Sequence, residues 1–359
     1  MIRSTTTAAL AAGLTLALAA PPARADAVTD FYKGKQVSWV LSAGAGGGYA
    51  SYAHAFAPYF QKHIPGNPNI IIQNMPGAGG IRAMAFFNSV APKDGATIGL
   101  VHSSVPFAPL FGIKGATFDP RTMNWIGSIN RASAICVAWH TAPVKSYKDL
   151  WDKELVVGGT GAGSQMETMP AMLDKLFGMK MKVISGYKGG NDVYLAMERG
   201  EVMGRCGGLV SSIESTRPDW FPEHKVNVVI QVSLKRDPMF PDVPAAAEFA
   251  KDQKTKDILK LVLAPQEMDR PILAPAGVPA DRVAALRTAF HETMKDPGFL
   301  AQAKKEHLEV NEVTGDEISE IIQSAFSLSS DVVQEATEAM NVTGSSSKSS
   351  KSSKAPKSN

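Results

Sequence analysis

VSWVLSAGAGGGYASY, Val37 to Tyr52, is an apolar run that passes through Gly44, Gly46, Gly47 and Gly48 into a stretch with helical spacing. Such a junction is an anion trap. Glycines admit a ligand close to the backbone, and the free N–H groups of the helix that follows present roughly half a positive charge to whatever occupies the turn. Two further junctions repeat the pattern: Pro76, Gly77, Ala78, Gly79 and Gly80 follow Ile70 to Ile72, and Gly158, Gly159, Gly161 and Gly163 follow Leu155 to Val157. Three glycine turns of this kind imply one shared site.

The N-terminus narrows what the anion can be. Arg3 supplies a positive start, Ala8 to Ala20 an apolar core, and Ala23-Arg24-Ala25 a small-residue cleavage site, so residues 1–25 read as a secretory signal and the mature chain begins near Asp26. The rival reading, a transmembrane anchor, fails on length, because the apolar run is shorter than the roughly 20 residues a span needs and ends in Pro21-Pro22. No cysteine follows the cleavage site, so a lipoprotein anchor is not indicated. The formal charge of +3 does not describe the folded part. Arg3 and Arg24 leave with the signal and Lys348, Lys351, Lys354 and Lys357 lie in the tail, which makes the remainder net negative and removes the main argument for nucleic-acid binding. That tail, residues 344–359, is Ser/Lys-rich without apolar residues to drive packing and is expected to be disordered.

Between these ends the chain alternates strand and helix, the order of a parallel sheet covered on both faces. Strands are expected at Val37 to Leu41, Ile70 to Gln73, Thr97 to His102, Val156 to Gly158, Lys182 to Ser185 and Val226 to Gln231, with Trp139 and His140 as further sheet residues. The helix from Tyr49 to Lys62 carries a core stripe of Tyr52, Phe56 and Tyr59 or Phe60, and Pro58 should kink or shorten it. A cleaner helix starts at Asp281, buries Val283, Leu286, Phe290 and Met294, and stops before Pro297. The mature length exceeds what one core usually fills, so two lobes are expected, with crossings near Ile129 to Arg131 and around Ser233 to Pro244.

Enzymatic readings lack their motifs. Tyr49 stands where a dinucleotide fingerprint wants glycine, and no G-x-x-x-x-G-K-[ST], G-x-S-x-G or H-E-x-x-H occurs. Cys136 and Cys206 are read either as a disulfide, which an oxidising compartment permits, or as two buried thiols; neither has a second ligand at zinc-site spacing.

GAGGGYASYA, HIPGNPNIIIQNMPGAGG, APKDGATIGL, SGYKGGNDV, KRDPMFPDVP and LAPAGVPADRV resemble, in that order and over nearly the whole mature chain, the extracytoplasmic solute receptors of tripartite tricarboxylate transporters, the Bug or TctC family. The resemblance implies an α/β fold of the two-lobed periplasmic-binding-protein type II class, a Venus-flytrap in which each lobe is a mostly parallel sheet flanked by helices. Residues 26–130 would start lobe 1, 131–240 form lobe 2, and 241–343 return to lobe 1. It implies a soluble periplasmic protein that closes over a small carboxylate-bearing ligand and delivers it to a membrane permease, with no catalytic residue, cofactor or metal. A receptor that signals to a partner without transport is the alternative, and an exported hydrolase a weaker one. Carried over as ligand-binding residues are Gly47, Gly48, Tyr49, Ala50 and Ser51 of the first turn; His102, Ser103 and Ser104; Gly163, Ser164 and Gln165; Tyr187; and Gly207 in the back wall. Helix capping alone accounts equally well for Ser51 and Ser164, and His102 reads equally as a satisfied histidine at a strand end. Many members of the family carry an aspartate after the first glycines where this chain has Ala50, and an arginine near His54. Losing that carboxylate disfavours a ligand ammonium and favours a plain carboxylate, with an aromatic or apolar body against Tyr49.

Overall fold

The computed structural model describes residues 24–44, 48–159, 164–187 and 190–340. The expected leader up to residue 23 and the tail 344–359 lie outside the described residues, as do Gly47 and Gly163. In chain order the elements are α1 (Arg24–Tyr32), β1 (Gln36–Leu41), α2 (Gly48–His63), β2 (Asn69–Asn74), α3 (Ile81–Ser89), β3 (Thr97–Leu100), β4 (Asn124–Ser128) and β5 (Ala134–Trp139). Next come β6 (Leu155–Gly159), α4 (Gln165–Phe177), β7 (Met181–Ser185), α5 (Gly190–Glu198), β8 (Gly204–Leu209), α6 (Val210–Thr216) and β9 (Val226–Val232). The remaining elements are α7 (Gln253–Leu263), β10 (Pro271–Ala274), α8 (Ala280–Lys295), α9 (Pro297–Lys305), β11 (Val313–Thr314), α10 (Gly315–Phe326) and α11 (Ser330–Met340).

Two sheets result, ordered β11-β4-β10-β3-β1-β2 and β7-β6-β8-β5-β9. Both are mixed. Strands β1, β2 and β3 run parallel, as do β6, β7 and β8, whereas β10 is antiparallel to β3 and β4, and β5 is antiparallel to β8 and β9. Four of the six strands in the first sheet (β1 to β4) and four of the five in the second (β6 to β9) run in one direction, as expected of mostly parallel sheets, with β5, β10 and β11 as the antiparallel additions. Three strands were hard to read locally: β8 is Gly-Arg-Cys-Gly-Gly-Leu, poor in strand-forming residues, β10 has four residues and starts with proline, and β11 has two.

Helix α2 packs Tyr52, Phe56 and Phe60 into the first core, where Phe56 meets Phe290 at 5.6 Å and Phe299 at 5.0 Å. Pro58 does not shorten it; α2 runs unbroken to His63. Pro58 is on the exposed face, and the aromatic stripe buried on either side of it outweighs the lost backbone bond. Helix α8 buries Val283, Leu286, Phe290 and Met294 as its spacing predicts. In the second lobe Cys136 on β5 and Cys206 on β8 are joined as a disulfide, which decides between the two readings of these cysteines.

Residues 129–132 cross between the sheets, and they pair with the returning segment 266–270: Asp269 donates its N–H to the Asn130 carbonyl at 3.1 Å and Ala132 to the Gln266 carbonyl at 2.9 Å. The return crossing is thus not at Ser233 to Pro244. That segment stays against the second sheet, held by the Gln231 amide, which donates to the Phe240 and Val243 carbonyls at 2.8 and 2.7 Å. Arg131 adds ion pairs to Glu267 and Glu317, both 2.8 Å. Helices α8 and α10 pack on β4, whereas α11 packs on α7 and on α4 of the second lobe, so the stretch 241–343 divides its packing between the two sheets.

Candidate functional site

The parallel strands β1, β2 and β3 end together, and the turns leaving their carboxyl ends face one cavity of about 400 Å³. Its lining is Ser42, Ala43, Gly44, Gly48, Tyr49, Pro76, Gly77, Gly79, Gly80 and His102. Ligands of open α/β sheets bind at this edge. The amino end of α2 opens onto the cavity at Gly48, and that of α3 follows directly after Gly80, so both helices direct free N–H groups and positive dipole ends toward it.

Side chains fix the turns to one another. Ser42 Oγ accepts the His102 N–H at 2.8 Å, and Asn74 donates to the Ala43 carbonyl at 2.9 Å. The second turn is left-handed at four successive residues, Gly77, Ala78, Gly79 and Gly80, with φ of 141°, 47°, 63° and 103°. Gly80 has no substitute: a Cβ there would lie 2.8 Å from Val105 and 3.0 Å from His102 Nδ1.

Tyr49 ties the cavity to the returning segment. Its hydroxyl accepts the Ser103 N–H at 3.1 Å and donates to the Asp269 carbonyl at 2.9 Å. Its ring meets His102 edge-on at 4.5 Å and carries the Arg270 guanidinium on its face at 4.3 Å; Tyr52 covers Arg270 at 4.8 Å. Burial pushes the Tyr49 phenol up to about 12, so it stays a neutral donor.

Arg270 itself pairs with the Asp269 carboxylate. Burial opposes charge on both partners and raises the Asp269 carboxyl, but each charge supports the other, and the Asn130 amide donates to the carboxylate at 3.2 Å. His102 is held below its ordinary value of 6.5 by burial, against the Gly79 carbonyl 3.1 Å from Nδ1. A carbonyl only accepts, so Nδ1 carries the proton and Nε2 has the lone pair.

Of the residues singled out in the sequence, Gly48, Tyr49 and His102 line this cavity. Ala50 does not: it is 3% exposed and packs in the first core. Ser51 is exposed on α2, Ser103 is buried with its N–H on Tyr49, and Ser104 is exposed at the start of a short turn, Val105–Phe107. In the second lobe Ser164 sits at the amino end of α4 without donating to or accepting from it, its hydroxyl buried and unpartnered among the described residues. Gln165 is exposed. Gly207, at φ +74°, packs against Gln165, whose carbonyl oxygen would lie 2.5 Å from a Cβ. Tyr187 lines a separate pocket with Gly186, Asp192, Leu195, Arg199 and Glu201. A larger groove of about 730 Å³ between α1 and α8 is lined by Val28, Pro65, Ala280, Ala284 and Ala285 together with Thr29, His63, Asp281 and Thr288. Asp269 and Arg270 were not anticipated; the signal available was an adjacent acid and base placed directly before the apolar run Pro271 to Ala274.

Two α/β lobes joined by hydrogen-bonded crossing segments, with a glycine-lined cavity at a strand edge, define a solute-binding protein of the two-lobed type. The model of the tripartite tricarboxylate transporter family receptor, TctC, matches residues 61–337, and the chain belongs to that family. It is 27% identical over 309 residues to the UPF0065 protein in the gbd 5′ region of Cupriavidus necator, covering 83% of this chain and 86% of that one. Its fold is similar to that of a Polaromonas TctC solute-binding protein, with TM-score 0.66 and 18% identity over 86% of this chain and 99% of the other. It is also similar to MatC of Rhodopseudomonas palustris with bound malate (0.56, 18%, 86% and 99%) and to a second R. palustris protein with adipate (0.59, 17%, 85% and 97%).

Proposed function

We propose that this protein is an exported, periplasmic receptor that captures a small carboxylate between its lobes and hands it to a membrane permease of the tripartite type. The observation that carries the reading is the cavity at Gly48, Gly77, Gly79 and Gly80, where two helix amino ends converge on space bounded largely by glycine backbone. Backbone N–H groups bind an anion well there, because charge-assisted hydrogen bonds strengthen as water is excluded. The volume suits a small molecule. The Asp269–Arg270 pair behind Gly48 is internally neutral, so it stiffens the floor of the cavity without demanding a particular ligand charge. Malate in MatC and adipate in the second R. palustris protein support a carboxylate as the ligand class. Tyr49, linked to both the cavity and the Asp269 carbonyl on the crossing segment, provides a route by which occupancy biases lobe closure.

A thermal-shift screen of the mature chain against mono-, di- and tricarboxylates, aromatic acids and amino acids tests this. A true ligand at 100 times its dissociation constant adds about 2.7 kcal/mol of stability. Stabilisation by amino acids with no response to plain acids would overturn it, and so would turnover of any member of the panel.

A further inference from the structure

The second lobe holds a cation that the site described above does not use. Arg205, on β8, is 8% exposed, and its Nε has no hydrogen-bond partner. No carboxylate pairs with it among the described residues. Its guanidinium lies on the ring of Tyr194, 4.6 Å from the centroid, and that tyrosine's buried hydroxyl is also unpartnered. Both terminal nitrogens would stand 2.9 Å from a Cβ on Gly190, the first residue of α5, and Nε 3.0 Å from one on Gly208. The charge therefore sits directly under the amino end of a nine-residue helix. Burial pushes its pKa down, and only the Tyr194 phenol opposes that.

The arrangement repeats that of the first lobe. There, Gly48 opens α2 over Arg270, and Tyr52, four residues on, stacks on the guanidinium. Here, Gly190 opens α5 over Arg205, and Tyr194, four residues on, does the same. One difference matters: Arg270 has Asp269, and Arg205 has no acid among the described residues. Asp192, in the first turn of α5, lines the pocket with Tyr187, Arg199 and Glu201 instead, and Glu198 is taken by Arg217 at 2.6 Å. Strands β6, β7 and β8 run parallel, so their carboxyl ends and the amino ends of α4, α5 and α6 share one edge of the sheet, as the strand ends at the cavity do in the first lobe. A buried cation without a counter-ion is costly, and a helix amino end above it adds positive potential.

We propose that Arg205 and the amino end of α5 bind a carboxylate of the ligand, the second one of a dicarboxylate whose first occupies the glycine turns of the other lobe. This rests on the carboxylate-receptor reading. In apo protein the unpaired charge disfavours the closed lobe surface, and the arriving carboxylate supplies the missing counter-ion.

Calorimetric titration of the wild type and Arg205→Gln with succinate, glutarate and adipate, and with butyrate, valerate and hexanoate, tests the assignment. The wild type should bind at least one diacid, and Arg205→Gln should weaken it about 30-fold or more while shifting monoacid affinity by no more than about threefold. Equal diacid affinity in wild type and variant overturns the proposal while leaving the receptor reading intact. Failure of every acid to bind the wild type overturns both. A co-crystal structure of the wild type with the tightest diacid needs no variant: a carboxylate oxygen within hydrogen-bond distance of the Arg205 guanidinium is expected, and a ligand that leaves Arg205 untouched refutes it.

Discussion

Tyr49 and Asp269 stand 220 positions apart in the chain and meet through one hydrogen bond, from the phenol to the Asp269 carbonyl at 2.9 Å. The same oxygen accepts the Ser103 N–H, so one side chain joins the cavity, the turn after β3 and the crossing segment. Tyr49→Phe keeps the ring over Arg270 and removes this junction. It leaves the Ser103 N–H without its acceptor, a loss of about 1–3 kcal/mol. Urea denaturation monitored by circular dichroism should show the lower midpoint with an unchanged slope.

Ala50 is buried beside Tyr52, Ala53 and Phe56. The reading that an aspartate here would act on the ligand by facing the cavity mouth does not match this placement. Ala50→Asp would instead put a carboxylate into an apolar core and destabilise the fold by about 3 kcal/mol or more. A denaturation midpoint equal to that of the wild type would show that residue 50 faces the cavity after all.

His102 binds a proton less readily in the folded protein than in the unfolded chain, because burial lowers its pKa below 6.5. Stability contributed by the neutral imidazole is complete above that value and declines as pH falls through it, since the unfolded chain takes up the proton first. Relative to His102→Asn, the wild type should lose stability between pH 7.5 and pH 5 and show no such difference between pH 7.5 and pH 8.5. Chemical denaturation across that range is the measurement. An anionic ligand in the cavity favours the imidazolium, so affinity should rise over the same fall in pH.

The Cys136–Cys206 bond joins β5 to β8 across 70 residues of chain. Closing a loop of that size restrains the unfolded state, and its loss costs about 2–5 kcal/mol. Denaturation with and without dithiothreitol should separate by that amount in the wild type and not at all in a Cys136→Ala, Cys206→Ala double variant.

The turns, the stripe on α2 and the span of α8 were legible because each is a local pattern: glycines after an apolar run, or apolar residues at helical spacing. Gly48 stood in such a glycine turn, whereas Tyr49 and His102 were named through the family resemblance; all three line the cavity. Proline 58 misled because its cost is local whereas the burial that offsets it is not. The crossing at 266–270 was missed for a related reason. Ser233 to Pro244 looked like a boundary through its prolines, yet it stays docked through Gln231, a contact that spacing does not encode.

The sequence alone determined the class of structure, the positions of the glycine turns and the kind of chemistry they permit, because glycine content, helix starts and apolar periodicity act over a few residues. Tertiary structure decided what stands behind those turns. Whether a charged side chain is buried, and whether it has a partner, depends on segments far apart in the chain. Arg270 beneath Gly48 with Asp269 at its side, and Arg205 beneath Gly190 with no acid among the described residues, are ordinary basic residues in the sequence; folding makes the first a neutral brace and leaves the second buried with its Nε unpartnered among those residues.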